Sequence, residues 1–356
     1  MSLPLAVILK EIESAPASLA PILSSLHYDT HILKDISNSD RNHLVARTLK
    51  LSRANDAYSV WCGVNLLYVL CEDFQILSEN GSTIIGQLIK LVERHLTEDR
   101  KKPVLTSAVK ALAKLCDAVR GKPTLTREIM TPKLPTIIAL YFENLHLEPE
   151  LFLVSLQKLI KHHPTTFRPF GNKLRAKLVA LVSGLGFLSY TPGLKSQIYR
   201  TLALLPVIEK VDPEIKWQQD VVSIIKEATH VLLIYKEFLN FQDDNALFNR
   251  AKDLSNLSGS SVIFEKPLKV ETEDPKSLLA INERFSILIE LLTKYIETET
   301  SYPVNIPLGQ ALCLADVACL INTRFLAYKR DIFDPELRNM VKTSIGFCHE
   351  SVSEFL

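Results

Sequence analysis

Apolar side chains recur along this chain at the spacing of an α-helix. Ile84, Leu88, Leu91 and His95 stand at i, i+4, i+7 and i+11, with Ile85, Val92 and Leu96 beside them, so one broad stripe of a helix is apolar. Trp217, Val221, Ile225, Ala228, Leu232, Tyr235 and Leu239 make a second stripe through a segment that reads as one long helix. Ile281, Phe285, Leu288, Leu292 and Ile296 make a third. Helices of this kind are marginal alone in water and bury their stripes against neighbouring helices. The boundaries also read as helical. Asn38, Ser39 and Asp40 precede a helix carrying Leu44, Val45 and Leu49, and Asn80 and Ser82 stand before the Ile84 helix. Thr124 lies three residues before Arg127 and four before Glu128, close to a capping box without its strict spacing. Prolines such as Pro123, Pro149, Pro192, Pro213, Pro275 and Pro335 fall between periodic segments and punctuate them.

The result is about 14 helices of about 10 to 25 residues, which suits stacked helical hairpins. The expected fold is all-α, an irregular HEAT- or armadillo-like α-solenoid forming a single helical-repeat domain over residues 1–356. No fixed period stands out, so the repeats are degenerate. Strand evidence is confined to Val262-Ile263-Phe264, a short run inside a polar stretch. That stretch, from about Ser255 to Lys276, passes from Ser/Gly-rich to acidic and reads as a flexible internal loop that buries little apolar surface. The last residues, Glu354-Phe355-Leu356, sit inside a helical pattern without a cap, as in the N-terminal part of a longer protein.

Composition narrows the function. Hydrophobic residues at 47% can fill a large core, and a net charge of +1 makes any nucleic-acid contact a matter of local patches. The N-terminal apolar run is short, has no basic lead and meets Lys10 and Glu11 at once, unlike a signal peptide. No apolar run reaches the length of about 18 residues that spans a bilayer. Cys62, Cys71, Cys116, Cys313, Cys319 and Cys348 show no C-x-x-C spacing and read as reduced core thiols. The motifs of nucleotide-binding, serine-hydrolase and zinc-protease sites are absent, so the chain reads as non-catalytic, without cofactor or metal. His27 and His31 are four apart but lack further ligands at metal-site spacing, and His162 and His163 end a helix, where a cation suits the dipole.

Two basic stretches are more informative. Lys158, Lys161, Arg168, Lys173, Arg175 and Lys177 have no Asp or Glu between them, and Phe167 and Phe170 are interleaved. Lys158 and Lys161 would end one helix, Lys173 and Lys177 would share a face of the next, and a Pro164–Pro169 turn would merge the pairs into one ridge. A second stretch runs from Arg100 to Lys133. Each fits either a solvated helix face or a ridge that meets RNA phosphates.

Three segments go further. Gly121-Lys122-Pro123-Thr124-Leu125-Thr126-Arg127-Glu128 is followed by His163-Pro164-Thr165-Thr166-Phe167-Arg168-Pro169-Phe170-Gly171-Asn172-Lys173, and then by Tyr302-Pro303-Val304-Asn305-Ile306-Pro307-Leu308-Gly309. In this order and at these separations the chain resembles the N-terminal domain of the fungal Rix-type pre-rRNA-processing proteins. Their animal relatives are the proline-, glutamate- and leucine-rich nuclear proteins. The resemblance implies a scaffold subunit of a nuclear and nucleolar complex. Its partners would be a WD-repeat propeller subunit, a second helical-repeat subunit, late pre-60S particles and the AAA ATPase midasin, and its role support for processing of the second internal transcribed spacer. The long acidic tail common in that family is not present in this sequence. The alternative is another helical-repeat scaffold, such as a nuclear-transport or coat adaptor.

Overall fold

The computed structural model describes residues 3–28, 32–33, 36–96, 102–258, 263–264, 268–272 and 274–356. It is 76% helical, with 16 α-helices and no strand among the described residues. The fold class is therefore the expected all-α helical repeat. The expected single domain divides into two compact units, residues 1–159 and 160–356.

The first unit holds α1 (Leu5–Glu13), α2 (Leu19–Tyr28), α3 (Asn38–Ser52), α4 (Ala57–Leu70), α5 (Phe74–His95), α6 (Lys102–Val119), the single turn α7 (Pro123–Leu125), α8 (Leu134–Glu143) and most of α9 (Pro149–His162). Its helices start where a short polar side chain takes an orphan backbone N–H. Ser37 accepts from Asp40, Asp56 from Ser59 at 2.7 Å, and Asp73 from Ile76 at 2.8 Å, each cap worth about 1 kcal/mol. The Asp73 cap overturns the start expected at Asn80 and Ser82: α5 begins two turns earlier and runs straight through both residues. Thr124 does not cap either. Pro123 opens α7 without a side-chain cap, the Thr126 hydroxyl reaches back to the Val119 carbonyl at 3.0 Å, and Thr126–Met130 forms a π-helical turn.

In this unit α4 packs against α3, α2 and α6, while α3 packs against α5 and α5 against α6. Each helix thus meets its hairpin partner and the equivalent helix of the next hairpin, which is the contact pattern of a helical repeat. Helices α2, α4 and α6 form one layer. The crossing of α4 on α3 is close enough to demand glycine, since a Cβ on Gly63 would lie 2.4 Å from the Ser52 backbone nitrogen.

The second unit holds α10 (Pro164–Val182), α11 (Pro192–Leu204), α12 (Pro213–Leu232), α13 (Asn245–Ser255), α14 (Pro275–Glu297), α15 (Leu308–Leu320) and α16 (Pro335–Phe355). Helix α14 packs against α11, α12 and α16, and α12 also meets α13 and α15. The predicted stripes are their core: Trp217, Val221, Ile225 and Leu232 on α12 and Ile281, Phe285, Leu288 and Leu292 on α14 are all buried. The stripe to Leu239 is not one α-helix, because it tightens into a 3-10 turn at Leu233–Glu237. An isolated antiparallel bridge joins Leu239 to Tyr328.

The expected polar loop needs a correction. Helix α13 carries the chain to Ser255, and Ile263 is buried. The Ile263 and Phe264 amides donate to the Glu227 carboxylate at 3.3 and 2.6 Å, and the Arg284 guanidinium lies 4.5 Å from the Phe264 ring centroid. Two apolar residues thus anchor the middle of a polar stretch. Residues 259–262, 265–267 and 273 of that stretch lie outside the described residues.

Candidate nucleic-acid interface

The six cations of the expected ridge do not share one surface. The turn that was to merge them is absent: α10 starts at Pro164, with His163 at its N-cap, and Pro169 lies inside the helix. Pro164 fits the first helical position, where its missing N–H has no partner to lose. Pro169 forgoes one helical hydrogen bond. At 3.6 residues per turn, Arg168 and Arg175 then lie on one side of α10, and Lys173 and Lys177 on the opposite side.

The arginine side is occupied within the unit. Arg168 Nε donates to the Ile208 carbonyl at 3.0 Å. Arg175 Nη2 meets Asp220 Oδ2 at 2.6 Å, and the Asp220 side chain is only 3% exposed. Lys216 reaches the other oxygen of Asp220 at 3.1 Å. The Tyr295 hydroxyl lies 3.1 Å from Asp220 Oδ2 and 3.2 Å from the Leu202 carbonyl, so its one proton is shared between them. Burial works against the charge on Arg175, but Tyr295 and Asp220 outweigh it and hold the guanidinium protonated. Burial, then the Asp220 charge, pushes the Tyr295 phenol well above its ordinary range, and Tyr302 is raised for the same two reasons. The segments around Arg175 and Tyr302, far apart in sequence, therefore converge on Asp220. Asp220 and Tyr295 were not foreseen. Lys216 and Asp220 stand at i, i+4, but that spacing does not reveal burial.

Lys158 belongs to a different set. Its ammonium pairs with Asp117 at 3.3 Å. Three residues before Asp117, Lys114 holds Glu72 at 2.7 Å, and Glu72 meets His27 at 3.6 Å. Alternating charges thus tie α2, the end of α4, α6 and α9 into a ladder. Lys161 pairs with Glu299 at 3.2 Å. Lys173 is exposed and makes no ion pair among the described residues, while Lys177 is half-buried. Phe167 is fully buried and Phe170 half-buried, with ring centroids 6.2 Å apart, so this pair is core and not a platform for bases.

In the Arg100–Lys133 stretch, Lys102 pairs with Glu148 at 2.9 Å and Lys122 sits 5.4 Å from the Phe74 ring centroid. Lys110, Arg127 and Lys133 are exposed, and Arg100 and Lys101 lie outside the described residues, as does His31. Among the described residues no group of three or more His, Cys, Asp or Glu could hold a metal ion, and no helix is long and apolar enough to cross a membrane. The thiols only partly follow expectation. Cys62, Cys71, Cys116 and Cys348 are buried, and burial pushes Cys71 and Cys116 up to about 12, but Cys319 is exposed and Cys313 half-buried. Their stretch, α15, is a surface helix whose outer edge carries apolar residues.

Residues 4–187 match the RIX1 family, described as rRNA processing/ribosome biogenesis. The chain is 45% identical over 348 residues to the pre-rRNA-processing protein RIX1 of Scheffersomyces stipitis, covering 97% of this chain and 48% of that protein. It is 42% identical over 355 residues to the Candida albicans protein of the same name, and 27% identical over 347 residues to that of Saccharomyces cerevisiae S288c. In each case the chain spans about half the length of the curated relative: 48%, 46% and 46%. A solved chain from the Rix1 subcomplex of a Rix1–Rea1 pre-60S particle superposes with a TM-score of 0.84 at 24% identity, over 100% of this chain and 63% of that one. At that identity the likeness speaks for the fold.

Proposed function

Because the chain belongs to the RIX1 family of rRNA-processing and ribosome-biogenesis proteins, we propose that it is a non-catalytic scaffold subunit of a nuclear complex that binds late pre-60S particles. In this reading it supports processing of the second internal transcribed spacer and the recruitment of a midasin-type AAA ATPase, beside a WD-repeat propeller subunit and a second helical-repeat subunit. The observation that carries the reading is the family match across the first unit, joined to a fold that a pre-60S Rix1-subcomplex chain matches along the whole of this chain. Stacked helices offer broad faces to several partners at once.

Contact with rRNA phosphates falls on the outward side of α10, where Lys173 is exposed. Lys158, Lys161, Arg168 and Arg175 serve chiefly to tie helices together. Affinity purification with mass spectrometry, combined with RNA crosslinking, tests both parts. The expected result is co-purification of pre-60S proteins and RNA adducts near Lys173. A small GTPase or coat subunits in place of pre-60S proteins would overturn the reading.

A further inference from the structure

Helix α4 contains no charged residue: it reads Ala-Tyr-Ser-Val-Trp-Cys-Gly-Val-Asn-Leu-Leu-Tyr-Val-Leu. A helix that is apolar all round belongs in an interior. Yet one edge of α4 reaches solvent. Tyr58 is 48% and Tyr68 37% exposed, and Trp61 and Asn65 are half-buried between them. These four stand at i, i+3, i+7 and i+10, the spacing of a coiled-coil seam, so they draw one line along the helix.

The line is already ordered. The Tyr58 hydroxyl donates to the Pro16 carbonyl at 2.9 Å, the Tyr58 and Trp61 ring centroids are 6.1 Å apart, and the Lys114 ammonium lies 5.7 Å from the Tyr68 ring centroid. Tyrosines and a tryptophan held in place before binding give up little entropy when a partner docks, as in interface hot spots. The charge beside them is positive. On α6, Lys110 is exposed without an ion pair among the described residues, and Lys114 flanks Tyr68. The neighbouring acid, Glu72, is already engaged by Lys114 and His27.

We propose that this edge of α4 docks an acidic amphipathic helix of another protein, with its apolar seam along Tyr58, Trp61 and Tyr68 and its carboxylates facing Lys110 and Lys114. An RNA base would need an open ring face, and that of Tyr68 is covered by Lys114. The inference rests on the scaffold reading only in requiring a protein partner.

The test places the photo-crosslinker benzoylphenylalanine at Asn65 of the full chain in cells, with a second crosslinker at the exposed Lys90 as the comparison. Mass spectrometry of the adduct is expected to give one protein segment with heptad-spaced apolar residues and net negative charge. Lys110→Glu with Lys114→Glu should abolish that adduct while leaving the melting curve of the chain in place. An RNA adduct, a basic or unpatterned segment, or a yield at position 65 no higher than at position 90 overturns the proposal. Sedimentation of the same cell extracts keeps the two readings apart. A crosslink without cosedimentation with pre-60S particles sinks the particle reading alone, and cosedimentation without the crosslink sinks this one alone.

Discussion

The charge ladder of the first unit and the Asp220 knot of the second use the same residue types to opposite ends. Along the ladder, Lys114, Glu72, Asp117 and Lys158 keep about a third to a half of their side chains in water. Such pairs gain little, because solvent screens them and two long side chains must be held still. At the knot, Asp220 is almost wholly buried and is met by Arg175, Lys216 and Tyr295. Removing one partner there strands a charge away from water. Pairing alone therefore says little about how much a pair matters; burial decides. A surface ladder sets the alignment of neighbouring helices at small cost if broken, whereas the knot holds α10, α12 and α14 together.

The largest expected effect follows from that contrast. Asp220→Ala leaves Arg175 uncompensated and should cost about 3–5 kcal/mol in denaturant unfolding. Arg175→Met combined with Asp220→Leu should cost less than Asp220→Ala alone, since no lone charge remains. If the single change costs no more than a ladder residue, the contrast fails. Phe285→Ala, in the same unit, should cost about 2–5 kcal/mol and sets the scale of an apolar loss. Deleting residues 259–273 removes the Ile263 anchor and should cost about 1.5–3 kcal/mol, where a purely polar loop would cost almost nothing. At the low end, Glu72→Gln or Lys158→Met should change stability by about 0.2–1 kcal/mol, falling further in high salt.

Much of this was legible in the sequence and some was not, for definable reasons. The stripes through Ile84, Trp217 and Phe285 face the core as expected, because a 3.6-residue period survives any details of packing. Helix starts were less secure. Asn80 looked like a cap, but Asp73 captured that role and Gly81 went to a close helix crossing, where a Cβ would lie 2.3 Å from the Ile129 side chain. The loop was misread because its one apolar anchor, Ile263, is a local feature whose partner Glu227 lies 36 residues away. The basic ridge dissolved for the same reason. Its acids, Asp117, Asp220 and Glu299, are distant in sequence, so a run of cations without interleaved acids looked uncompensated. Lys173 is the residue for which sequence and structure agree on exposure.

The central claim is that the chain is a particle-bound scaffold whose outward α10 side meets rRNA. It is tested most directly by gradient sedimentation of tagged full-length chain from cells, comparing wild type with Lys173→Glu plus Lys177→Glu over a range of salt. The account predicts that the wild type travels with pre-60S particles. The double variant should keep the wild-type melting curve, leave the particle at lower salt, and show an RNA-binding salt slope shallower by about one for each phosphate it no longer neutralises. A wild-type chain that sediments apart from pre-60S particles, or a double variant that holds them as tightly as wild type at every salt concentration, would contradict it.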